Sequence, residues 1–351
     1  MKRENVIGRA NVEDTPELEA YYRELEAGEL GALWNVVNDI EPWQPQPKSV
    51  PVLWKWRDVG PLVRRAPALV SAEKAARRVV MLVNPGRKEW SAAVGLLYTG
   101  VQVMNPGEFT SAHRHQASAL RFVMEGEGAY TVVDGERLAL GARDFVLTPN
   151  GTWHDHGVEA GGSQCIWQDG LDIPLMNSLD ANFYQVYPEV VQKAGAPLPR
   201  EGWRKPYSPV FQYAWQDSYA ALREATQHSS FDGTVLEYTN PLTGGPVMPT
   251  IGAQLQRLAP GERTLAHRHT GSVIYQVAKG RGYSVLDGRR YDWEDKDIFC
   301  LPAWCMHEHA NGSADEDAVL FSFNDFPVMR ALALYREEAC AEAGGRQVQA
   351  G

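Results

Sequence analysis

Ala112-His113-Arg114-His115 recurs as Ala266-His267-Arg268-His269, and this repeat decides how the rest of the chain is read. Successive side chains of an extended strand alternate faces, so both imidazoles of each His-Arg-His point one way and the arginine between them points the other. A third histidine follows about forty residues on in each copy, His154 and His307, with His156 and His309 two residues further. Eight of the nine histidines therefore fall into two matched clusters at an offset of 153 to 154 residues, and His228 stands apart. Neutral imidazole is a good ligand for a first-row divalent metal, and three of them leave coordination positions open for a substrate. Scattered surface histidines would not repeat at matched spacing. The pattern predicts one metal shell of His113, His115 and His154 and a possible second of His267, His269 and His307.

The repeat is wider than its histidines. Gly107 and Gly126 flank the first His-Arg-His at the same distances as Gly261 and Gly280 flank the second, and Pro149-Asn-Gly151-Thr-Trp-His154 matches Pro302-Ala-Trp304-Cys-Met-His307. Ala129–Val133, Asp134-Gly135 and Arg137–Leu140 read as a hairpin with a tight Asp-Gly turn, and Gly282–Leu286, Asp287-Gly288 and Arg289–Trp293 repeat it. Closely spaced strands with turn signals favour a sandwich or barrel in each half. The expected fold is an all-β core of two tandem small β-barrels of jelly-roll type with an N-terminal helical arm. The expected division is an arm over 1–92, a catalytic barrel over 93–186, a connecting segment over 187–244 with a helix at Ser218–Thr226, a second barrel over 245–335 and a tail over 336–351. In the arm, Thr15 before Pro16 is a helix N-cap with proline in the first turn. The Pro- and Trp-rich stretch from Glu41 to Pro61 should run extended. Such an arm could pack on a partner subunit or cover its own barrel.

At 351 residues the chain is long enough for two domains with proper cores. Cys165, Cys300, Cys305 and Cys340 have no Cys-x-x-Cys spacing and are read as reduced thiols. With no signal-like or membrane-spanning apolar run, the cytoplasm is the expected location and no membrane partner is expected. A net charge of −10 disfavours nucleic acid. It also means that an anionic substrate needs a local positive site working against the global field.

The paired motifs resemble the two consensus motifs of the cupin superfamily, small β-barrels with an internal metal, so the chain is read as a bicupin. Many cupins place a glutamate ligand where this chain has Ala119 and Val273. A shell of three neutral imidazoles leaves the metal's dipositive charge for an anionic, chelating substrate to balance. It also suits iron(II), whose adjacent open positions can hold substrate and dioxygen side by side. Longer blocks sharpen the likeness. Arg77–Gly86, Met104–Glu108, Ser118–Val123, Glu125–Thr131, Trp153–His156, Asp169–Pro174 and Asn240–Pro249 resemble the gentisate 1,2-dioxygenases, a group that includes salicylate and 1-hydroxy-2-naphthoate dioxygenases. The resemblance implies iron(II), dioxygen as co-substrate, a small aromatic hydroxy acid as substrate and a homo-oligomer, a tetramer by family. It also implies cleavage between the carboxylate- and hydroxyl-bearing carbons, giving maleylpyruvate from gentisate.

Roles follow from what that chemistry requires. Arg121, six residues after His115, has the parity to face the barrel interior, where a planar guanidinium would hold the substrate carboxylate. His156 shares the face of His154 and is assigned to hydrogen bonding or proton transfer. By resemblance, Arg77 contacts the substrate, with Arg78 beside it as the competitor, Gln102 lines the pocket, and Asp169 orients a ligand or an arginine. Trp153 is read as packing. The second barrel has Tyr275 where the first has Arg121, and Trp304, where the first has Gly151, is expected to crowd its cavity. Chemistry is therefore expected in the first barrel alone, the second holding a structural metal or none. Other readings are salicylate or 1-hydroxy-2-naphthoate as substrate, a manganese decarboxylase or metal-dependent isomerase on the same barrels, and a non-catalytic metal-binding bicupin. The missing glutamates count against the decarboxylase, and the intact metal shell against the non-catalytic reading.

Overall fold

The computed structural model describes residues 13–75, 77–90, 92–195 and 202–348, so the first residues of the arm and the last of the tail lie outside it. Residues 13–46 form a unit of their own. There Thr15 accepts a hydrogen bond from the Leu18 N–H (3.1 Å) and caps the helix Pro16–Ala27, as its position before a first-turn proline requires. A second helix, Leu33–Ile40, is tied to the first where the Trp34 indole N–H donates to the Tyr22 hydroxyl (2.9 Å). None of the described helices is long and apolar enough to cross a membrane.

From residue 47 onward two β-sandwich barrels follow, each built from one six-stranded and one five-stranded sheet. In the first, the six-stranded sheet runs Gln212–Tyr213, Phe145–Thr148, Ala119–Glu125, Cys165–Leu171, Tyr98–Met104 and Val79–Met81. Facing it are Tyr184–Val186, His113–His115, His154–Val158, Ala129–Val133 and Glu136–Leu140. The second barrel repeats this with Val52–Trp54, Ile298–Leu301, Val273–Lys279, Ala318–Asn324, Gly252–Leu258 and Thr234–Glu237 opposite Arg289–Glu294, Arg281–Leu286, His307–Asn311, His267–His269 and Glu337–Ala339. Both hairpins form at the expected Asp-Gly turns. Asp134 and Gly135 (φ 47° and 83°), like Asp287 and Gly288 (46° and 77°), hold the paired positive φ values of a tight two-residue turn.

Segments read from sequence as the arm and the tail supply edges of these sheets. Val52–Trp54 pairs with Ile298–Cys300 of the second barrel, Val79–Met81 with Gly100–Gln102 of the first, and Glu337–Ala339 with His267–His269. Three-residue strands carry too little periodicity to announce themselves, and their pairing depends on a partner elsewhere in the chain. The connecting helix spans Trp215–Glu224.

The six-stranded sheets of the two barrels pack against each other. Phe122 of the first stacks on Phe321 of the second, ring centres 4.1 Å apart, and Phe145 lies 5.3 Å from the same ring. Gly170 makes room for this contact, since a Cβ there would sit 2.6 Å from Cζ of Phe323. The alternation that sends Phe122 outward to this seam sends Ala119 and Arg121 inward to the cavity.

A matched pair of buried aspartates ties each histidine strand to the end of its barrel. Asp172 accepts from the Ser118 N–H (2.8 Å), and Asp325 accepts from the Ser272 N–H (2.7 Å). Burial pushes these carboxyls up, Asp172 to about 6 and Asp325 to about 7. A folded-state pKa above the unfolded value means that the native state keeps its proton longer. The Asp325 contribution to stability is therefore fully present below 3.8 and lost as pH rises through about 7. Asp325→Asn keeps an acceptor for Ser272 and removes the titration. Urea unfolding at pH 5 and pH 8 should show wild type losing stability relative to the variant at the higher pH; a constant difference would refute the assignment.

Candidate active site

Three buried imidazoles converge inside the first barrel. His113 and His115 come from one short strand and His154 from its neighbour, where His113 and His154 are directly paired. Each ring is fixed through Nδ1 by a backbone carbonyl: His113 by Ser111 (2.7 Å), His115 by Ala117 (2.7 Å) and His154 by Thr152 (3.0 Å). A carbonyl can only accept, so Nδ1 carries the proton and Nε2 presents its lone pair to the barrel centre. The candidate ligand atoms lie within 4.8 Å of one another, and Nε2 of His113 is buried with no hydrogen-bond partner. Burial holds all three rings neutral: His113 is pulled down to about 3, His115 to about 4 and His154 well below its ordinary value. Neutral, oriented and convergent donors fit a divalent metal.

Beside the triad lies a cavity of about 350 Å³ lined by Arg77, Tyr98, Gln102, His115, Arg121 and Asp169 among others. Arg121 is buried there and touches three groups: it donates to Thr148 Oγ1 (2.7 Å) and to His156 Nε2 (2.7 Å), and its Nε lies 3.2 Å from Asp169 Oδ1. Asp169 is the cross-strand neighbour of Arg121. Burial pushes the Asp169 carboxyl up to about 6, opposed by Arg121 and Arg77. Both nitrogens of His156 are engaged, since Nδ1 meets Thr131 Oγ1 at 2.7 Å. Burial and then Arg121 hold His156 well below its ordinary pKa. Gln102 is buried with its amide nitrogen lacking a partner, beside the cavity.

The two adjacent arginines separate cleanly. Arg78 is buried against Glu108 and the Val70 carbonyl (3.1 Å). Arg77 stays exposed, lines the cavity and lies over the Tyr184 ring at 5.5 Å. On the opposite face of the histidine strand, Arg114 covers the Trp153 ring at 4.6 Å, which makes Trp153 part of the outer packing.

The cupin-domain family model matches residues 100–173 and 254–324, one copy in each barrel. The chain is 39% identical over 354 residues to the 5-aminosalicylate 1,2-dioxygenase of Comamonas sp, an alignment covering 95% of this chain and 94% of that one. It is 37% identical to gentisate 1,2 dioxygenase 1 of Aquipseudomonas alcaligenes, over 92% of this chain and 96% of that one. The crystal structure of salicylate 1,2-dioxygenase from Pseudoaminobacter salicylatoxidans with gentisate superposes with a TM-score of 0.88 at 31% identity, covering 96% of this chain and 98% of that one. The chain belongs to the gentisate 1,2-dioxygenase family of bicupins. Members of this family are ring-cleaving dioxygenases, oxidoreductases that incorporate both atoms of dioxygen.

In this member of the gentisate 1,2-dioxygenase family the second triad is also assembled. His267, His269 and His307 are buried, with candidate ligand atoms within 4.8 Å, and Nε2 of His267 and His307 are 2.7 Å apart. Its surroundings differ from the first. Tyr275, in the place of Arg121, stacks on Phe299 and lies 5.1 Å from His309, while Phe231 stacks on His267 and Phe326 meets His269 edge-on. Trp304 does not crowd this cavity as expected. Its backbone keeps the positive φ of the Gly151 position (64° against 72°), and its ring turns to the far face of the strand between Arg268 and Arg336, at 4.6 and 4.7 Å. Positions 119 and 273 carry no carboxylate, and beside the second triad Asp232 Oδ1 lies 3.7 Å from His267 Nε2 without joining the three-histidine cluster.

Thr131 and Thr148, which hold His156 and Arg121, were missed from sequence. Their signal is strand parity: Thr131 pairs with His156, and Thr148 pairs with Ala119 on the face that Arg121 shares.

Proposed function

We propose that the first barrel holds iron(II) on His113, His115 and His154 and opens gentisate between its carboxylate-bearing carbon and the adjacent hydroxyl-bearing carbon, giving maleylpyruvate. The observation that carries this reading is the juxtaposition of a neutral three-histidine cluster with a buried arginine in one cavity. Iron(II), when bound, supplies open positions for chelation by the substrate and for activation of dioxygen.

The protein's own groups do the rest. Arg121 and Arg77 give an acidic chain the local positive field that a carboxylate substrate needs, Arg121 from inside the barrel and Arg77 from the rim. His156 accepts from Arg121 while donating through Nδ1 to Thr131, so of its two expected roles the contacts support hydrogen bonding. Asp169 aims the Arg121 guanidinium, and the free amide N–H of Gln102 is available to a substrate oxygen.

The likeness to a 5-aminosalicylate dioxygenase favours a second substrate reading. Gentisate and 5-aminosalicylate both carry an electron-donating group para to the chelating hydroxyl, which eases oxidation of the ring relative to salicylate. Tyr98, Gln102 and Asp169 offer polar partners along the cavity wall. Oxygen uptake under air with iron(II) and gentisate, with the absorbance of a ring-opened product, is the expected result; no uptake removes the reading. Side-by-side kcat/KM values should place gentisate and 5-aminosalicylate above salicylate and 1-hydroxy-2-naphthoate. By family likeness we expect a cytoplasmic homotetramer, which light scattering on the purified protein checks.

A further inference from the structure

We propose that Thr131 is a positioning residue of the first barrel: its hydroxyl anchors the ring proton of His156 on Nδ1 and keeps Nε2 a bare acceptor for Arg121, whereas Ser284 sets the opposite proton position in His309 of the second barrel. The proton positions stand on the contacts alone, and only the kinetic arm of the test rests on the ring-opening reading.

In the first barrel the direction of each hydrogen bond follows from one group that cannot accept. A guanidinium only donates, and Arg121 Nη2 lies 2.7 Å from His156 Nε2, so that nitrogen offers its lone pair. A neutral ring with a bare Nε2 carries its proton on Nδ1. Nδ1 therefore donates to Thr131 Oγ1 at 2.7 Å, and the Thr131 hydrogen turns to the Asp155 carbonyl at 3.0 Å. The result is a one-way chain from Arg121 through His156 and Thr131 to the backbone. Thr131 and His156 are cross-strand partners and both are buried, where a lost partner is costly.

The second barrel places Ser284 opposite His309 in the same register, with Oγ 2.7 Å from Nδ1. No arginine takes the place of Arg121 there; Tyr275 does, 5.1 Å from the His309 ring. The strand behind the hydroxyl differs as well. Where Leu140 pairs with Ala129 in the first hairpin, Trp293 pairs with Gly282 in the second, and its indole N–H donates to Ser284 Oγ at 2.9 Å. Among the described residues the Ser284 hydroxyl meets one further group, His309 Nδ1. Giving its hydrogen to Nδ1 leaves a single buried group unpaired, the N–H at His309 Nε2. The reverse direction leaves two, the Ser284 hydrogen and the Nε2 lone pair. Fewer unpaired buried groups puts the His309 proton on Nε2.

Thr131 reaches the substrate through Arg121. The guanidinium commits one N–H each to Thr148, His156 and Asp169, and these contacts set which N–H groups remain for a carboxylate. Without an acceptor at Nδ1 the His156 ring turns or moves its proton to Nε2. An N–H at Nε2 would face the Arg121 donor and push the fork out of line.

The test labels the full chain with nitrogen-15 at histidine and loads it with zinc(II), which is diamagnetic. Solid-state spectra, assigned with His156→Gln and His309→Gln, should show Nδ1–H for His156 and Nε2–H for His309. A proton on His156 Nε2, or the same form in both rings, overturns the proposal. With iron(II) and gentisate, Thr131→Val should raise KM about tenfold, the scale of leaving one buried polar group unpaired, with kcat changed less and metal content unchanged. Thr131→Ser restores the hydroxyl and should return KM close to wild type, and Ser284→Ala should leave KM unaltered. An unchanged KM in Thr131→Val, no rescue by serine, or an equal effect of Ser284→Ala overturns the positioning role. Absence of turnover in the wild-type chain instead removes the ring-opening reading and leaves the spectra to decide the proton positions.

Discussion

Replacing His113 with alanine is expected to remove both the first-barrel metal and the ring-opening activity. Among the described residues that shell has three candidate protein donors, so losing one leaves His115 and His154 as a two-ligand fragment. Position 119, where a related barrel could offer a carboxylate, is an alanine that lines the cavity. A metal centre contributes several kcal/mol of transition-state stabilisation, which at 1.36 kcal/mol per factor of ten is about a thousandfold or more in rate. The Nδ1 of His113 also accounts for the Ser111 carbonyl, and Tyr184 stacks on the ring at 5.3 Å, so circular dichroism should accompany the assay. The decisive measurement is metal content of anaerobically prepared protein beside oxygen uptake. A folded variant that still turns over would move the reaction to the second barrel. Turnover by wild type with this site empty or filled by zinc would remove the iron reading.

The parts of this site that were legible in the sequence are those set by strand parity and repetition. Two His-Arg-His motifs at a fixed offset place their imidazoles on one face whatever the surrounding fold, and the same parity places Arg121 and His156 inside. The Asp-Gly hairpins were equally legible, because their backbone conformation is local. What the sequence left open depends on long-range pairing. Arg77 and Arg78 are separated by a partner thirty residues away, Glu108, which takes Arg78 out of contention. The carboxylate beside the second triad comes from a loop outside the repeat, so no alignment of the two halves exposes Asp232. The volume of Trp304 alone predicts a crowded cavity, but with a positive φ at that position its side chain lies outward between two arginines. The edge strands Val52–Trp54 and Val79–Met81 were hidden because each is specified by the strand it pairs with more than by its own three residues.

Arg121→Ala is expected to lower kcat/KM for gentisate by about thirtyfold to several thousandfold while leaving the metal content nearly unchanged. Truncating one partner of a buried, hydrogen-bonded charge pair costs about 2–5 kcal/mol, and 1.36 kcal/mol is a factor of ten. Arg121 is proposed to meet the incoming carboxylate, and its Nε also lies 3.2 Å from Asp169 Oδ1 as a buried ion pair. Its removal also leaves His156 Nε2 without a donor. The metal shell should survive because the three ligand rings are oriented by the carbonyls of Ser111, Ala117 and Thr152, none of which touches Arg121. Arg121→Lys should recover little of the loss. A single ammonium cannot reproduce a planar fork that reaches Thr148, His156 and Asp169 at once and still presents paired donors to a carboxylate. Thr148→Val supplies the graded control: it removes one orienting contact and keeps the charge, so it should raise KM by less than Arg121→Ala does. If Arg121→Ala instead loses its metal, the residue supports the shell and not the substrate. If KM is untouched while kcat alone falls, the carboxylate is held elsewhere, with Arg77 the remaining cavity-lining arginine among the described residues.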